Sequence, residues 1–283
     1  MTDLPFSVLL PVYSGDTGAH LARAFASVTT DQERRPDEVV IVRDGPVPDD
    51  VTAVLGEIVA TAPVPVRLVE LPENVGLAAA LTAGLDACSH DVVARQDADD
   101  VSLPERFARQ LPEIEGGLDL VGSGLLEFAD DEQVVLGRRT PPVGEEAIRR
   151  YARFHQPFNH PTVVYRRRAV RRAGGYARVG LFEDYWLFAR MLAAGARVGN
   201  LPEPLVKYRI GAGAYRRRGG LRQLVAEVQL QRLLHHLGFT DRSQLLRNVV
   251  VRGGYRLLPE AVRRVSYRRL LHPGFRDPEG DPG

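Results

Sequence analysis

Three aspartates that follow a short apolar run are the residues of this chain best suited to chemistry. Asp97, Asp99 and Asp100 lie within residues 95–100, directly after the apolar residues 92–94. Side chains two positions apart point to the same side of an extended backbone, so Asp97 and Asp99 should converge while Asp100 points away. Two such carboxylates hold Mg²⁺ or Mn²⁺ and leave coordination positions that substrate phosphates usually fill. The stretch therefore predicts a divalent cation site.

The same acids also fit a structural role, as the cap of a helix that begins near residues 103–105. Pro104 at a first helical position favours this interpretation. Short acidic motifs recur by chance, so this stretch alone leaves both interpretations open.

A second candidate site combines an aromatic ring and a carboxylate from two loops. Pro11 and Tyr13 end the first predicted strand, and the turn Asp44-Gly45-Pro46 follows the second. The Tyr13 ring can cover one face of a uracil, and Asp44 can accept the N3 hydrogen of the base. An Asp-Gly-Pro sequence is also a common turn.

Residues 73–77, Glu-Asn-Val-Gly-Leu, follow the third predicted strand. Asn74 can cap the next helix, and Gly76 lets the backbone come close to a ligand. Because these residues fall on the same edge of the predicted sheet, they should form a wall of the same pocket.

An acid pair, Glu183 and Asp184, precedes the predicted helix of residues 185–194. The helix dipole keeps carboxylates ionised at this position. Local sequence alone favours an ordinary capping pair. His160 can bind an acceptor or a diphosphate, although a lone loop histidine is more often structural. Trp186 can stack on a sugar, yet its apolar helix favours the core.

The first half of the chain predicts a scaffold that brings these loops together. Short apolar strands alternate with helical patterns, which predicts an α/β fold with a mostly parallel central sheet flanked by helices. Ligands of such sheets bind beyond the carboxyl ends of the strands. The predicted strands are residues 7–10, 39–42, 66–71 and 91–94, and the helices are residues 19–29, 51–61 and 77–87.

After residue 118 the pattern changes to shorter β segments and helices. The predicted strands are residues 120–123, 133–136, 162–165, 197–201 and 205–209, and the helices are residues 145–154, 168–173, 185–194 and 221–237.

Composition excludes several classes of protein. The chain has 283 residues and a formal net charge of +1, which gives no reason to expect a nucleic-acid partner. Cys88 is the only cysteine, so an intramolecular disulfide is excluded, and a quiet core thiol in a reducing cytoplasm is expected. The N-terminus lacks the pattern of a signal peptide, and no apolar run reaches the roughly 18 residues that span a bilayer.

Five motifs in this order resemble glycosyltransferase family 2. The ordered set is far more specific than any one motif, and the likeness extends over about residues 6–208. It implies a GT-A fold, a nucleotide-diphospho-sugar donor and inversion of the anomeric centre. The motifs are SVLLPVY at residues 7–13, VRDGP at 42–46, ENVGL at 73–77, ARQDADD at 94–100 and FEDY at 182–185.

Carried over residue by residue, the resemblance implies a uridine pocket and a metal site. Asp99 would bind Mn²⁺ or Mg²⁺, Asp97 would lie near the ribose and the metal, and Arg95 would reach the base or a phosphate. The implied contacts of the nucleotide sugar are Pro11, Tyr13, Asp44, Asn74 and Gly76. Many members have Asp-Asp-Gly-Ser where this chain has Arg-Asp-Gly-Pro at residues 43–46, which leaves Asp44 alone for the base.

The resemblance also reverses the interpretation of the acid pair. The second acid of this motif serves as general base, so Asp184, next to Glu183, would take the proton of the acceptor hydroxyl. Residues 159–162 and 215–220 are similar to bacterial exopolysaccharide and O-antigen sugar transferases, which implies a galactose or N-acetylhexosamine donor. Arg216, Arg217 and Arg218 are expected to meet the phosphates of a polyprenyl-diphosphate acceptor.

The C-terminal part is strongly basic. Residues 242–272 contain eight arginines and one acidic residue among leucines and valines. Cationic amphipathic segments bind at the headgroup boundary, so we expect peripheral contact with the anionic inner face of the cell membrane. A solvated arginine-rich face is the alternative, because this chain has Lys207 as its only lysine.

The expected organisation is a GT-A domain with a helical C-terminal extension. Two other functions stay open: a sugar nucleotidylyltransferase, which usually needs lysine and a Gly-rich loop after the first strand, and a non-catalytic nucleotide-sugar binding module. The domain is residues 1–220, with a nucleotide half at 1–117 and an acceptor half at 118–220, followed by a basic helical extension at 221–272 and a disordered tail at 273–283.

Overall fold

Parallel strands joined by helices form the first half of the central sheet. The computed structural model describes residues 4–210 and 220–257. Strands β1 to β4 lie in the order β3-β2-β1-β4 and pair in parallel. Their bounds, with those of the connecting helices, are β1 Phe6–Tyr13, α1 Gly18–Val28, β2 Glu38–Asp44, α2 Asp49–Thr61, β3 Val66–Leu71, α3 Leu77–Ala87 and β4 Val92–Arg95.

Strands β1, β2 and β4 form where the sequence pattern predicts them, because their apolar runs are buried on both faces of the sheet. The edge strand β3 is only partly buried. One core layer packs α1 and α2 against the sheet through Leu21, Phe25 and Leu55. The other layer covers the opposite face and includes Leu81 and Leu85 of α3. Burial of Cys88 raises the pKa of its thiol to about 12, which confirms the quiet core thiol.

The second half extends the same sheet with both strand directions, so the whole sheet is mixed rather than mostly parallel. The order continues from β4 as β8-β6-β9-β5, with β7 paired to β6, and only β6 and β9 run parallel here. The bounds are β5 Val101–Ser102, α4 Arg106–Glu115, β6 Leu120–Phe128, β7 Gly137–Arg139, α5 Glu145–Tyr151, β8 Val164–Arg166, α6 Arg167–Arg172, α7 Glu183–Ala193 and β9 Val198–Arg209.

Four sequence predictions in this half are wrong in detail. Residues 133–136 form an exposed turn and not a strand, and the strands predicted at 197–201 and 205–209 are one strand, β9, with a bulge near its middle. His160–Thr162 is a 3₁₀ turn before β8. Helix α4 begins only at Arg106, after β5, so the three aspartates do not cap it.

The described C-terminal segment consists of helices packed against α7. They are α8 Leu221–His236, α9 Arg242–Asn248, a π-helical turn Val249–Gly253 and α10 Gly254–Leu257. Trp186 of α7 packs at the edge of a small core cluster with Leu230 and Leu234 of α8, as predicted. The predicted tail and residues 258–272 of the basic extension lie outside the described residues.

Candidate functional site

A cavity of about 860 Å³ lies beyond the carboxyl ends of β1, β2 and β4. The loops after these strands meet there because the strands run parallel and share one edge. The cavity therefore brings together the predicted metal residues and the predicted nucleotide residues except Arg95, which lines a neighbouring cavity. From the predicted set it is lined by Pro11, Tyr13, Asp44, Asn74, Gly76, Asp97 and Asp99.

Asp44 joins two walls of this nucleotide cavity. The residue is buried, and its Oδ1 accepts a hydrogen bond from the backbone N–H of Val75 at 2.7 Å while its Oδ2 accepts from Gly76 at 3.0 Å. The side chain of Asn74 donates to the carbonyl oxygen of Asp44 at 3.3 Å. Each carboxylate oxygen has a second lone pair, so Asp44 can still accept a hydrogen from a ligand.

The turn after Asp44 needs glycine for two reasons. Gly45 has a φ of +80°, a conformation that other residues rarely adopt. A Cβ at this position would also lie 2.5 Å from the backbone nitrogen of Asn74. The Asp-Gly-Pro sequence is thus a turn and, at the same time, a wall of the cavity.

The acid-rich stretch divides between the cavity and the core, although residues 98–99 form a turn after β4 and not the extended backbone on which the prediction relied. Asp97 and Asp99 line the nucleotide cavity, whereas Asp100 is fully buried, and its Oδ1 accepts from the backbone N–H of Arg209 at 2.8 Å. Arg95 lies beneath the cluster, with Nη2 2.6 Å from Oδ1 of Asp97. Within the described part of the chain, Nε and Nη1 of the buried Arg95 have no hydrogen-bond partner.

Negative charge accumulates at this end of the cavity. Burial raises the pKa of Asp99 to about 6, and the charge of Asp97 adds to the rise. Burial also raises the pKa of Asp16, on the loop after β1, to about 7, with smaller contributions from Asp99 and Asp97. A cation bound here would offset the cost of ionising these carboxylates together, so the residues fit a divalent metal.

The protein supplies only part of a metal coordination shell. Residues 4–210 and 220–257 contain no group of three or more His, Cys, Asp or Glu side chains arranged to hold an ion. Asp97 and Asp99 would therefore hold a cation together with oxygens of a bound diphosphate, which is how Mg²⁺ is usually bound in such sites.

A second cavity of about 430 Å³ adjoins the first, with Leu77, Asp97 and Leu181 lining both. Asp184 and His160 line this second cavity, as does Arg95. The structure therefore places Asp184 on the side of Asp97 away from Tyr13 and Asp44. Glu183 begins α7 beside it, with a partly buried side chain.

Asp184 is held by three neighbours. Gln156 Nε2 donates to its Oδ2 at 2.6 Å, the backbone N–H of Tyr185 donates to its Oδ1 at 2.7 Å, and His160 Nδ1 lies 3.8 Å from Oδ2. Burial raises the pKa of Asp184, against the opposing effect of these hydrogen bonds. Phe182 is the N-cap of α7 and makes no side-chain cap, while Asp184 in the first turn accepts from the backbone N–H of Tyr185. A capping contact of the acid pair is therefore compatible with its place in the cavity.

Arginines of the C-terminal helices also line the second cavity. Arg252 and Arg256 are buried and not on a surface, which corrects the prediction that the basic extension presents these side chains to lipid. Both pair with Glu227 of α8, at 2.6 Å from Arg252 Nε to Oε1 and at 2.9 Å from Arg256 Nη2 to Oε2. The predicted acceptor residues Arg216 and Arg217, with Arg218, lie outside the described residues.

Sequence reasoning missed several residues of the two cavities. Asp16 and His20 lie in or just after the loop that carries Tyr13, and only their chain position pointed to the site. Gln156 is a neutral residue in a turn and gives no signal by itself. Arg252 lies four residues after Asn248, a spacing that places both on one face of a helix, and this spacing was a signal in the sequence. In the structure Asn248 donates to Gln231 and Arg252 to Glu227, both on α8.

The Glycosyl transferase family 2 model matches residues 7–174 of this chain. A Haemophilus influenzae protein named as an uncharacterized glycosyltransferase is 36% identical over 270 residues, which cover 95% of this chain and 99% of that protein. The amylovoran biosynthesis glycosyltransferase AmsE of Erwinia amylovora is 36% identical, covering 93% and 98%. An Escherichia coli UDP-Gal:alpha-D-GlcNAc-diphosphoundecaprenol beta-1,3-galactosyltransferase is 31% identical, covering 94% and 96%.

Solved structures share the fold at low sequence identity. The mannosyltransferase PcManGT of Pyrobaculum calidifontis, in complex with GDP-Man and Mn²⁺, has a TM-score of 0.67 at 18% identity, covering 95% of this chain and 76% of that one. TarS 1–349 of S. aureus, in complex with UDP-GlcNAc, has a TM-score of 0.63 at 13% identity, covering 94% and 76%. The α/β fold predicted from the strand and helix pattern is confirmed as a GT-A-like fold. By the family model and by relatives that match over nearly their whole length, this chain belongs to glycosyltransferase family 2 and is a glycosyltransferase.

Proposed function

We propose that this protein is a metal-dependent inverting glycosyltransferase that moves a hexose from a UDP-sugar to a saccharide acceptor. The observation that carries the proposal is the meeting of the two cavities at Asp97. One cavity contains an aromatic ring, a carboxylate and an acid cluster suited to a nucleoside diphosphate. The other contains the buried carboxylate Asp184. The junction between them is where a donor sugar would lie.

The nucleotide cavity suits a uracil base. Tyr13 is half exposed and lines this cavity, and an aromatic ring in such a place can stack on a base. Asp44 is fixed by two backbone N–H groups and can accept the N3 hydrogen of the base. Pro11, Asn74 and Gly76 would complete the walls around the nucleoside.

Asp97 and Asp99 would hold Mg²⁺ or Mn²⁺ with the diphosphate of the donor. When bound, the ion offsets charge on the departing nucleoside diphosphate. Arg95, beneath Asp97, orients that carboxylate through the 2.6 Å ion pair.

Asp184 would act as the general base. The acceptor hydroxyl oxygen attacks C1 of the sugar from the side opposite the diphosphate. As this bond forms, the bond from C1 to the β-phosphate oxygen breaks, its electron pair leaves with UDP, and Asp184 takes the hydroxyl proton. Because burial raises its pKa, Asp184 is a better proton acceptor than an exposed aspartate. An α-linked donor then gives a β-linked product.

We infer a galactose or N-acetylhexosamine donor and an acceptor linked to a polyprenyl diphosphate, in the synthesis of a cell-surface polysaccharide. The support is the E. coli relative, whose name specifies UDP-Gal and a diphosphoundecaprenol-linked acceptor. The second cavity, with Asn159, Gln156 and Tyr208 among its lining residues, offers polar groups for a sugar. Arg216 and Arg217 stay the proposed acceptor contacts. His160, predicted with them, lines this cavity with Nε2 facing Tyr176 and Nδ1 facing Asp184, which places it beside the proposed base.

Contact with a membrane is the second part of the proposal. No helix in the described ranges is both long and apolar enough to cross a bilayer. The C-terminal helices instead expose large apolar side chains, namely Leu221, Val225, Leu246, Val250 and Leu257. Apolar groups of this kind insert at the headgroup boundary when basic residues lie near them. Sedimentation with vesicles of anionic lipid should be lost in Val225→Glu with Val250→Glu, and equal sedimentation of the variant would contradict it.

The base and metal are tested together by thermal shift. UDP, GDP, CDP and dTDP sugars are compared with and without Mn²⁺, and the largest stabilisation is expected for a UDP-sugar with Mn²⁺. Turnover is measured as UDP release from UDP-galactose and UDP-N-acetylglucosamine. A protein indifferent to all four nucleotides would contradict the proposal.

Asp184→Asn separates catalysis from binding. The change should lower turnover about 10²- to 10⁴-fold, as expected for loss of a general base, while nucleotide affinity is retained. A non-catalytic binding module would tolerate the change. A nucleotidylyltransferase would instead release pyrophosphate from UTP and a sugar phosphate, which a separate pyrophosphate assay with those two substrates detects.

A further inference from the structure

His160 connects the proposed base to a buried chain of hydroxyl groups. Its Nε2 lies 2.9 Å from the hydroxyl of Tyr176, and that hydroxyl lies 3.4 Å from the hydroxyl of Tyr165. Its other nitrogen, Nδ1, lies 3.8 Å from Oδ2 of Asp184. The histidine and both tyrosines are buried. The chain therefore runs from the core to the carboxylate without passing through solvent.

Packing fixes the plane of the His160 ring. The ring meets Phe188 edge-on at 5.8 Å between centroids and lies tilted at 5.8 Å from the ring of Tyr176. The backbone around it is a 3₁₀ turn that continues into Pro161 and Thr162. Because the ring cannot turn freely, its two nitrogens keep separate partners.

The protonation of His160 follows from its surroundings. Burial, with a contribution from the charge of Arg95, lowers the pKa of His160 well below its usual range. The ring is therefore neutral and carries one proton. An ionised Asp184 can only accept hydrogen bonds, whereas a tyrosine hydroxyl can donate. The favourable arrangement has Nδ1–H facing Asp184 and the hydroxyl of Tyr176 donating to Nε2.

The two oxygens of Asp184 then have different tasks. Oδ2 has two lone pairs, one used by Gln156 at 2.6 Å and one facing His160. Oδ1 accepts from the backbone N–H of Tyr185. Asp184 lines the second cavity, and Oδ1 is the oxygen that neither Gln156 nor His160 faces. Resting on the proposed role of Asp184 as base, we propose that His160 is a positioning residue which, supported by Tyr176, presents Oδ1 of Asp184 to the acceptor hydroxyl.

The 3.8 Å separation is longer than a hydrogen bond. Catalytic hydrogen bonds are often long in ligand-free structures and shorten in the complex with substrate. A movement of α7 or of the 3₁₀ turn by less than about 1 Å would bring Nδ1 within hydrogen-bonding distance of Oδ2.

Two substitutions of His160 test the assignment through kinetics. His160→Phe keeps the ring volume and removes both nitrogens, so kcat for UDP release should fall about 10- to 100-fold, with KM for the UDP-sugar unchanged. His160→Asn places an amide N–H near the position of Nδ1 and should recover part of the loss. Equal losses in both variants, or a change in KM alone, would overturn the proposal.

A matched control measures the effect of lost stability alone. Thr29→Val removes one buried hydroxyl, which donates to the carbonyl of Phe25 at 2.7 Å in the other core layer. Its melting temperature should fall as in Tyr176→Phe, but only Tyr176→Phe should lose kcat. If both variants retain kcat, the chain has a structural role and the proposal is wrong.

The tautomer gives a readout that needs no substrate. The chain has seven histidines, and ¹⁵N NMR of the labelled protein identifies the His160 signals by their loss in His160→Asn. Protonation of Nδ1 is expected in the wild type, and protonation of Nε2 would contradict the assignment.

Failure of this inference and failure of the proposed function give different results. If Asp184→Asn retains full turnover, Asp184 is not the base and the proposed function is wrong. If Asp184→Asn loses turnover while His160→Phe does not, only the role of His160 is wrong. In the Asp184→Asn background, His160→Phe should have no further effect on kcat, because both changes act on one carboxylate.

Discussion

Glu227 and Arg252 form a fully buried ion pair between two C-terminal helical elements, with 2.6 Å between Oε1 and Nε. Arg256 reaches the other oxygen of Glu227, and Arg252 also donates to the carbonyl of Phe154, in the turn after α5. The pair therefore ties the C-terminal helices to the wall of the second cavity. Because Glu227 is the counter-charge of two buried arginines, we expect the folded structure to depend on it.

Glu227→Gln should destabilise the protein by about 3–5 kcal/mol, because two guanidinium groups are left buried without a counter-charge. Urea unfolding measures the change. Glu146→Gln is the matched control, since Glu146 and Arg150 form an exposed pair on one helix. Such surface pairs contribute about 1 kcal/mol or less. Equal effects of the two substitutions would show that the buried pair is not a stabilising contact.

The same pair predicts a dependence of stability on pH. Its arginines depress the pKa of Glu227 from 4.5 to about 2. A depressed acid contributes stability that is present above its unfolded pKa and is lost as pH falls through the folded pKa. The difference in melting temperature between wild type and Glu227→Gln should therefore be constant above about pH 5 and shrink towards pH 2. A constant difference over the whole range would contradict this.

Asp99 predicts a dependence of stability on pH with the opposite sign. Its pKa is raised from 3.8 to about 6, so ionisation destabilises the folded protein, and stability falls as pH rises through this window. Asp99→Asn should raise the melting temperature of the metal-free protein at pH 7.5. The difference should be small near about pH 3, below the unfolded pKa of 3.8, where the carboxyl is protonated in the folded state and mostly protonated in the unfolded state. Melting curves at the two pH values check this.

Mn²⁺ provides the functional counterpart of that experiment. Asp99→Asn should lose the Mn²⁺-dependent thermal shift seen with a UDP-sugar, because a proposed ligand is gone. Asp100→Asn is the control, since Asp100 points inward to the backbone of Arg209 and should keep the shift. If only Asp100→Asn loses the thermal shift, the proposed assignment of the cation to Asp99 is wrong.

Elements built from local patterns were predictable, and β3 and α3 have the predicted bounds. Their residues are fixed by alternation, apolar runs and flanking glycine. Residues 133–136 failed because a short apolar run can also lie in an exposed turn, and Val134 is 53% exposed. The apolar residue types fit a strand, but the sequence does not show that these side chains lie mostly exposed to solvent.

Position along the chain made part of the site predictable where residues lie at the ends of strands, and the motif at residues 182–185 pointed to Asp184. Tyr13, Asp44 and Asp97 share an edge because parallel strands end together. The neighbours of Asp184 come from the turns after α5 and before β8, and no periodic pattern relates them. Glu227 did leave a signal that was missed, since it lies at helical spacing with the buried Leu230 and Leu234, a core position that an acid occupies only when paired.

Asp44→Asn should weaken both folding and nucleotide binding. The amide keeps one acceptor oxygen but places an NH₂ group against the backbone N–H of Val75 or Gly76. An unsatisfied buried donor destabilises by about 1–3 kcal/mol, which urea unfolding measures. Asp49→Asn in the first turn of α2 is the control and should have little effect. If Asp44→Asn is as stable as the wild type, the hydrogen bonds from Val75 and Gly76 to Asp44 do not stabilise the start of α3.

Tyr13→Ala should affect binding without affecting stability. Tyr13 is 51% exposed, so removing its ring leaves the core intact. Stacking of a base on an aromatic side chain contributes about 1–3 kcal/mol, which corresponds to about 5- to 150-fold weaker binding of UDP. Calorimetric titration measures the affinity, and Tyr13→Phe should retain it because the ring remains. If Tyr13→Ala binds UDP as tightly as the wild type, the base does not stack on this ring, and the uracil site has to be sought on another wall of the cavity.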